Sequence, residues 1–173
     1  MKETLTDIGN TLVDVAITII LTILVLHGAL CLLASTAMAD EVLTKDERVV
    51  ALTILGEARG EGKLGMYAVA CVIQQRACER KLTPAQVCLQ PWQFSIWNAG
   101  KGKVKKEREL YYLWKSPSMS YARELARYVC KGHGLARDTT GYANHYCTLK
   151  TNNKWTRKSK PVKIIGNHKF FKL

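Results

Sequence analysis

The chain has 173 residues, enough for one ordinary domain and too few for two sizeable ones, which excludes a multi-domain machine. Its 26 Lys and Arg against 14 Asp and Glu give a formal net charge of +12, and 47% of its residues are hydrophobic. That is too apolar for a disordered basic tail, so the composition is that of a folded, cationic protein.

The apolar residues are concentrated early. Val15 to Leu33 contains no charged residue and meets the requirement of ~20 apolar residues for a helix that crosses a bilayer. Ala37-Met38-Ala39 then offers the small-x-small pattern that signal peptidase accepts. Residues 1–39 therefore read as an N-terminal hydrophobic helix that is either a signal cut after Ala39 or an uncut membrane anchor. Glu3, Asp7 and Asp14 dilute the positive flank of an ordinary export signal and keep the anchor in play. Both readings put Asp40 to Leu173 outside the cytoplasm, secreted or in the cell envelope.

Residues 1–39 hold one Lys and three acids, so the remaining 134 residues carry +14. Such a charge calls for an anionic partner, either membrane phospholipid or the acidic polymers of a bacterial wall. Lys101-Gly102-Lys103-Val104-Lys105-Lys106 and Arg157-Lys158-Ser159-Lys160 could also meet phosphates. No RNA-binding or zinc-finger signature accompanies them, so they read as solvated basic loops and no nucleic-acid partner is expected.

Thr44-Lys45-Asp46-Glu47 has the capping-box form and predicts a helix start. Val49 to Leu55 is apolar on nearly every face, as in a helix buried at the centre of a small domain, and Gly56 to Gly60 ends it. After the break at Gly60-Glu61-Gly62, Met66, Val69, Ile73 and Ala77 recur at helical spacing, which predicts an amphipathic helix with Gln74, Gln75 and Arg76 outside the stripe. Thr83-Pro84-Ala85-Gln86 repeats the start signal for a short helix to about Leu89, and Pro91 ends it. Gln90 to Lys106 shows no period. Ser116-Pro117 opens a further helix with the stripe Ala122, Leu125, Ala126 and Val129, closed by Gly132-His133-Gly134. Val162 to Ile165, Gly166-Asn167 and His168 to Phe171 read as a hairpin with a glycine-first turn. The expected class is α+β, mostly helical with a small antiparallel sheet.

Cys31 lies in the apolar segment, leaving Cys71, Cys78, Cys88, Cys130 and Cys147 in the exported part. In an oxidising compartment, two disulfides and one free thiol are the expected arithmetic. No C-x-x-C is present, and His145 and Cys147 form a lone pair of ligand types with His133 and His168 scattered around them. No metal or other cofactor is assigned.

Glu57 is the candidate for chemistry. It falls at the carboxyl end of an almost wholly apolar helix, where desolvation and the negative end of the helix dipole both disfavour its ionised form. A general acid for a glycosidic oxygen needs such a proton. Glu61 would share its face only if the helix ran on through Gly60, so it reads as a solvated loop acid, and Asp138 as a turn residue.

The run Gly56-Glu57-Ala58-Arg59-Gly60-Glu61-Gly62, continued by Gly65-Met66, Ala68-Val69-Ala70, Val72-Ile73 and Arg76, resembles the SleB-type cell wall hydrolase family of spore cortex-lytic enzymes. Val87-Cys88, then Gln90-Pro91-Trp92-Gln93-Phe94-Ser95 and Trp97, looks like that family's segment ending in Gln-Phe-Ser. Ala143-Asn144-His145-Tyr146 through Trp155 to Ile165-Gly166-Asn167-His168-Lys169-Phe170-Phe171 looks like its closing strands. The resemblance implies a lysozyme-like fold over residues 40–173. It also implies cleavage of the bond between N-acetylmuramic acid and N-acetylglucosamine in peptidoglycan, as by the family's lytic transglycosylases. There one glutamate, matched here by Glu57, protonates the leaving oxygen and then helps the sugar's own six-position hydroxyl attack, unlike the usual two-carboxylate arrangement.

By the same resemblance Gln93, Phe94, Ser95, His145 and Tyr146 are expected in substrate binding, with Trp97 able to stack on a sugar face and the polar groups able to bond acetamido groups. Core packing is the competing role for Phe94 and Tyr146, and a satisfied interior position for His145. The cysteines and the lysine-rich insert between Ser95 and Ser116 depart from the family pattern. The expected partner is the glycan strand, with the membrane as a second if the N-terminal helix is uncut, and the chain is expected to act as a monomer. The alternatives are a zinc amidase of the peptide stem, for which no His and acid ligand set can be assembled, and a non-catalytic wall-binding module tethered to the membrane.

Overall fold

The computed structural model describes residues 19–26 and 42–173, and the chain divides into two compact units, Met1–Val42 and Leu43–Leu173. In the first unit residues 19–26 are helical with exposed side chains. Most of the expected membrane span and the whole cleavage motif lie outside the described residues, among which no helix is long and apolar enough to cross a membrane.

The second unit opens with helix α1, Lys45–Ala58. Its capping box is made: the Glu47 amide donates to Thr44 Oγ1 (3.2 Å) and the Thr44 amide donates to Glu47 Oε2 (2.8 Å). Val49 to Leu55 are all buried, as the all-round apolar pattern requires. A 3-10 turn, Arg59–Glu61, leads to α2, Gly62–Arg80. This helix corrects the amphipathic reading, because Gln74 and Arg76 are buried along with Met66 and Ala68 to Ile73. Each has a polar task inside. Gln74 donates to the His133 carbonyl (2.8 Å) and accepts from the Leu135 amide (2.9 Å), which ties down the loop after the next long helix.

The short helix α3, Pro84–Leu89, carries the second expected capping box. A 3-10 turn at Ser95–Trp97 and a longer one at Glu107–Lys115 follow. The latter, which the sequence reading does not anticipate, buries Leu110 and Leu113. Helix α4, Met119–Cys130, buries the expected stripe of Ala122, Leu125, Ala126 and Val129. It packs with α2 and α3 around α1.

Strands β1 (His145–Thr148), β2 (Lys163–Ile165) and β3 (His168–Phe171) form one antiparallel sheet in the order β1-β3-β2. A one-turn helix α5, Lys154–Lys158, lies between β1 and β2. The expected hairpin is β2–β3, with Gly166 at φ +55° as the first turn residue. The mostly helical α+β expectation therefore holds.

The disulfide expectation is corrected. Cys71, Cys78, Cys88, Cys130 and Cys147 are all free thiols. Cys71 on α2 points its sulfur at the Ala136 carbonyl (3.7 Å), Cys88 on α3 is wholly buried, and Cys78 is exposed. Burial pushes the thiols of Cys71, Cys88 and Cys130 up to about 12, with nearby acids adding for Cys71 and Cys130. Such thiols behave as small apolar side chains with little thiolate character.

Candidate active site

Glu57 stands in the last turn of α1, where the helix leaves the core. Both carboxylate oxygens are occupied. Oε1 accepts from Ser95 Oγ (2.9 Å) and from the Ile96 amide (3.0 Å), and Oε2 accepts from the Tyr146 hydroxyl (2.8 Å). Three elements distant in sequence therefore converge on one side chain. The purely greasy environment expected around Glu57 is corrected: its apolar helix delivers it to a polar clamp.

Gly56 makes this convergence possible. A Cβ there would collide with the side chain of Ile96, so only glycine lets the Ser95-Ile96 backbone approach α1 closely enough to donate to the neighbouring Glu57. Trp97 secures the same loop from inside, with its indole N–H donating to Thr53 Oγ1 (2.8 Å). That contact and an exposure of 2% remove Trp97 from the expected sugar-stacking role. Its indole is spent on holding the loop against α1.

The carboxylate faces a cleft of about 320 Å³ between α1, α2, the loop from Trp92 to Asn98, and the sheet. Gln93, Ser95 and Tyr146 of the expected binding set line it; Phe94 and His145 do not. Phe94 is buried under the guanidinium of Arg76, 5.0 Å from ring centroid to Cζ, and packs on Tyr146. His145 points the other way along β1, as strand alternation demands. Its Nδ1 pairs with Asn144 Oδ1 (2.8 Å) and its ring tilts onto Trp155. Burial, with Arg76 and Arg80 nearby, lowers its pKa.

Two floor residues escaped the sequence reading as site residues. Arg76, 4% exposed, donates through Nε to the Asn144 carbonyl (2.6 Å) and through a terminal nitrogen to the Gln93 carbonyl (3.3 Å). It thereby locks the loop and the β1 approach together. His168, 6% exposed, packs edge-on to Tyr146 at 5.2 Å, and its Nδ1 is buried without a hydrogen-bond partner. A signal was available for His168. The period of two in β3 puts it on the same face as Phe170, the residue registered opposite Tyr146.

Tyr146 is half-buried, its ring packed against the aromatic neighbours Phe94, His168 and Phe170. Desolvation, reinforced by the charge and hydrogen bond of Glu57, raises its phenol well above the ordinary tyrosine range. It is therefore a neutral donor under any working condition. Glu57 is the only acid among the described residues that line the cleft.

Glu61 stays open to solvent, as expected of a loop acid, but has a structural task besides. Its Oε2 accepts from the Asn167 amide (2.7 Å) and its Oε1 from Asn167 Nδ2 (3.3 Å), bracing the β2–β3 turn. The fit is close enough that a Cβ on Gly166 would strike this carboxylate. Asp138 sits in the short 3-10 turn Arg137–Thr140, and its carbonyl accepts from the Gly141 amide, as its turn reading anticipates.

A family model described as Cell Wall Hydrolase matches residues 60–171. Among solved structures, the chain is similar to the catalytic domain of the germination-specific lytic transglycosylase SleB from Bacillus anthracis. That similarity has 25% identity and a TM-score of 0.54, and it covers 77% of this chain and 98% of that one. It is also similar in fold to the catalytic domain of the Bacillus cereus SleB protein, at 24% identity and a TM-score of 0.51, over 78% of this chain and 95% of that one. A search of curated protein sequences finds no significant match. Glu57 lies three residues before the stretch matched by the family model, so its place in the site rests on the geometry of the cleft.

Proposed function

The chain belongs to the cell wall hydrolase family, and from that premise we propose that it cleaves the glycosidic bond between N-acetylmuramic acid and N-acetylglucosamine in peptidoglycan, with Glu57 as both acid and base. The similar Bacillus anthracis domain is that of a lytic transglycosylase, which supports the same reaction class here. The observation that carries the reading is the clamped carboxyl group of Glu57, alone of its kind in an open cleft.

The clamp assigns different work to the two oxygens. Oε1 accepts two hydrogen bonds, which occupy its lone pairs. Oε2 accepts one, from Tyr146, and keeps a lone pair for the proton. In the first half of the reaction the proton on Oε2 passes to the glycosidic oxygen as the bond to the anomeric carbon breaks, leaving Glu57 as the carboxylate that the three donors are arranged to hold. In the second half Oε2 takes the proton of the muramic acid six-position hydroxyl as that oxygen bonds to the anomeric carbon. An anhydro sugar is released and Glu57 regains its proton. No second carboxylate is needed, in contrast to two-acid glycosidases.

Its place of action is the cell envelope, where its substrate is found. On this reading residues 1–39 serve either as an export signal or, through residues 15–33, as a membrane anchor.

Replacing Glu57 with Gln keeps the size and, with the amide oxygen in the place of Oε1, the bonds from Ser95 and Ile96. It reverses the bond to Tyr146, so that the amide nitrogen donates to the hydroxyl, and removes the transferable proton. Release of soluble fragments from purified peptidoglycan should fall at least ~10³-fold, as expected for loss of an essential acid and base, while wall binding persists. Mass spectrometry of the wild-type digest should show anhydromuramic ends. Reducing ends would replace the internal attack with water, and a digest cut only at the peptide stem, with activity lost to a chelator, would move the function to an amidase.

A further inference from the structure

Trp92 is the most conspicuous exposed side chain of the cleft. It lines the same space as Glu57, yet 64% of its surface is open to solvent. Its backbone has φ +66°, a left-handed conformation that is rare for bulky L-residues and costs them steric energy. The conformation is held from outside the residue. The Trp92 amide donates to Asn98 Oδ1 (3.2 Å). Asn98 in turn is bridged to Val104 across the tight Gly100-Lys101-Gly102 turn, where Lys103 donates its amide to the Gly100 carbonyl. The lysine-rich insert therefore folds back to fix the position of an indole that is largely open to solvent.

A large apolar ring held in a strained, solvent-exposed pose stabilises neither the core nor its own backbone, and strain of this kind collects at ligand-binding positions. The rim that it borders is otherwise built from polar side chains. Gln93, Ser95 and Asn98 can bond the hydroxyl and acetamido groups of a sugar, but none of them offers a surface to the apolar C–H face of the ring.

We infer that Trp92 is a stacking platform for a pyranose ring of the glycan strand, the ring next to the bond presented to Glu57. The inference rests on the glycosidase reading above and adds to it the residue that selects and seats the sugar. The indole that the sequence analysis expected to do this, Trp97, is buried in the loop's underside. Trp92 stands five residues before it, at the open rim.

The test uses the full chain carrying Glu57→Gln, which holds substrate without cutting it, and purified glycan strands freed of stem peptides. Strand binding should shield the most quencher-accessible part of the tryptophan fluorescence, and that part should be missing in Trp92→Phe. Burial of an indole face corresponds to about a tenfold effect or more on affinity. Trp92→Ala and Trp92→Gly should therefore weaken strand binding by about that factor, while Trp92→Phe restores most of it. In the active enzyme the same substitutions should act mainly on KM. Trp92→Gly should also raise the Tm by about 2–4 °C, because glycine adopts the left-handed backbone without cost.

Strand affinity unchanged in both Trp92→Ala and Trp92→Gly overturns the platform. Failure of the Glu57→Gln protein itself to bind strands instead overturns the glycosidase reading on which it rests.

Discussion

The hydrogen bond from Tyr146 to Glu57 Oε2 comes from a side chain held by aromatic packing. Phe94, His168 and Phe170 pack against the ring, and the hydroxyl donates to Glu57 at the edge of the cleft. Since desolvation and the adjacent carboxylate keep the phenol protonated, it donates throughout the reaction. Its stabilising effect is greatest when Glu57 is anionic, after the proton has left. Tyr146→Phe preserves the ring packing and deletes only this donor. A hydrogen bond to a charged group contributes about 1.5–3 kcal/mol, so kcat should fall roughly 10- to 100-fold with KM nearly unmoved and the Tm close to that of the parent. A parallel rise in KM in steady-state kinetics would instead make Tyr146 a substrate ligand.

The residues of this clamp were unevenly legible in the sequence. Glu57 could be found because its helix is apolar around its whole circumference and ends in glycines. Ser95 and Tyr146 were reached through resemblance alone, since nothing in their local pattern shows that they meet Glu57 across 38 and 89 positions. Arg76 was misplaced for a physical reason. A polar residue on a helix is assigned to water unless its buried partners are known, and those of Arg76 are backbone carbonyls of Gln93 and Asn144.

Among the elements, the hairpin shows how the sheet is kept in register with the helices. The Gly166-Asn167 turn was legible from its glycine and the flanking alternation, but its anchor was not. Glu61, at the end of the 3-10 turn after α1, holds the turn through the backbone and side chain of Asn167. By keeping β3 against the segment that follows Glu57, this contact also keeps His168 at the floor of the cleft. The backbone hydrogen bond from Asn167 is the main influence on the Glu61 carboxyl. With the lesser help of the Asn167 side chain and His168 it outweighs desolvation, the second-largest influence, and sets the pKa below the ordinary value of 4.5.

The sign of the linkage follows. A carboxyl group whose folded pKa is depressed contributes stability that is fully present above its unfolded pKa, and that contribution is lost as the pH falls through the lower, folded value. Glu61→Gln should therefore lower the Tm by a constant amount from pH 7 down to about pH 5, and the gap should close as the pH drops below 4.5. Thermal melts of the two proteins across that range read the difference directly, and a gap that stays constant down to the acid end would place the role of Glu61 in packing alone.

For the molecule as a whole, net charge and catalytic chemistry occupy different places. The exposed Lys101, Lys103, Lys106 and Lys160 lie on surface loops and the exposed Lys158 at the end of α5, whereas the charged groups within the cleft are Glu57 and the buried Arg76. Capture of an acidic wall thus acts through solvent, where the Debye length shrinks from about 8 Å at 0.15 M ionic strength to ~3 Å at 1 M. On the proposed mechanism, proton transfer at Glu57 would act over direct contacts that salt screens much less. Raising sodium chloride from 0.05 to 0.5 M should weaken association of the Glu57→Gln protein with intact walls by about tenfold or more, as for other electrostatically steered encounters. Turnover by the wild-type chain of stem-free glycan strands whose freed lactyl carboxylates have been amidated, and which therefore carry no charge, should change less than about twofold over the same range. Co-sedimentation and fragment release measured side by side separate the two effects. Wall association indifferent to salt would mean that the surplus of +12 has no part in finding the substrate, and that the cleft alone supplies the affinity.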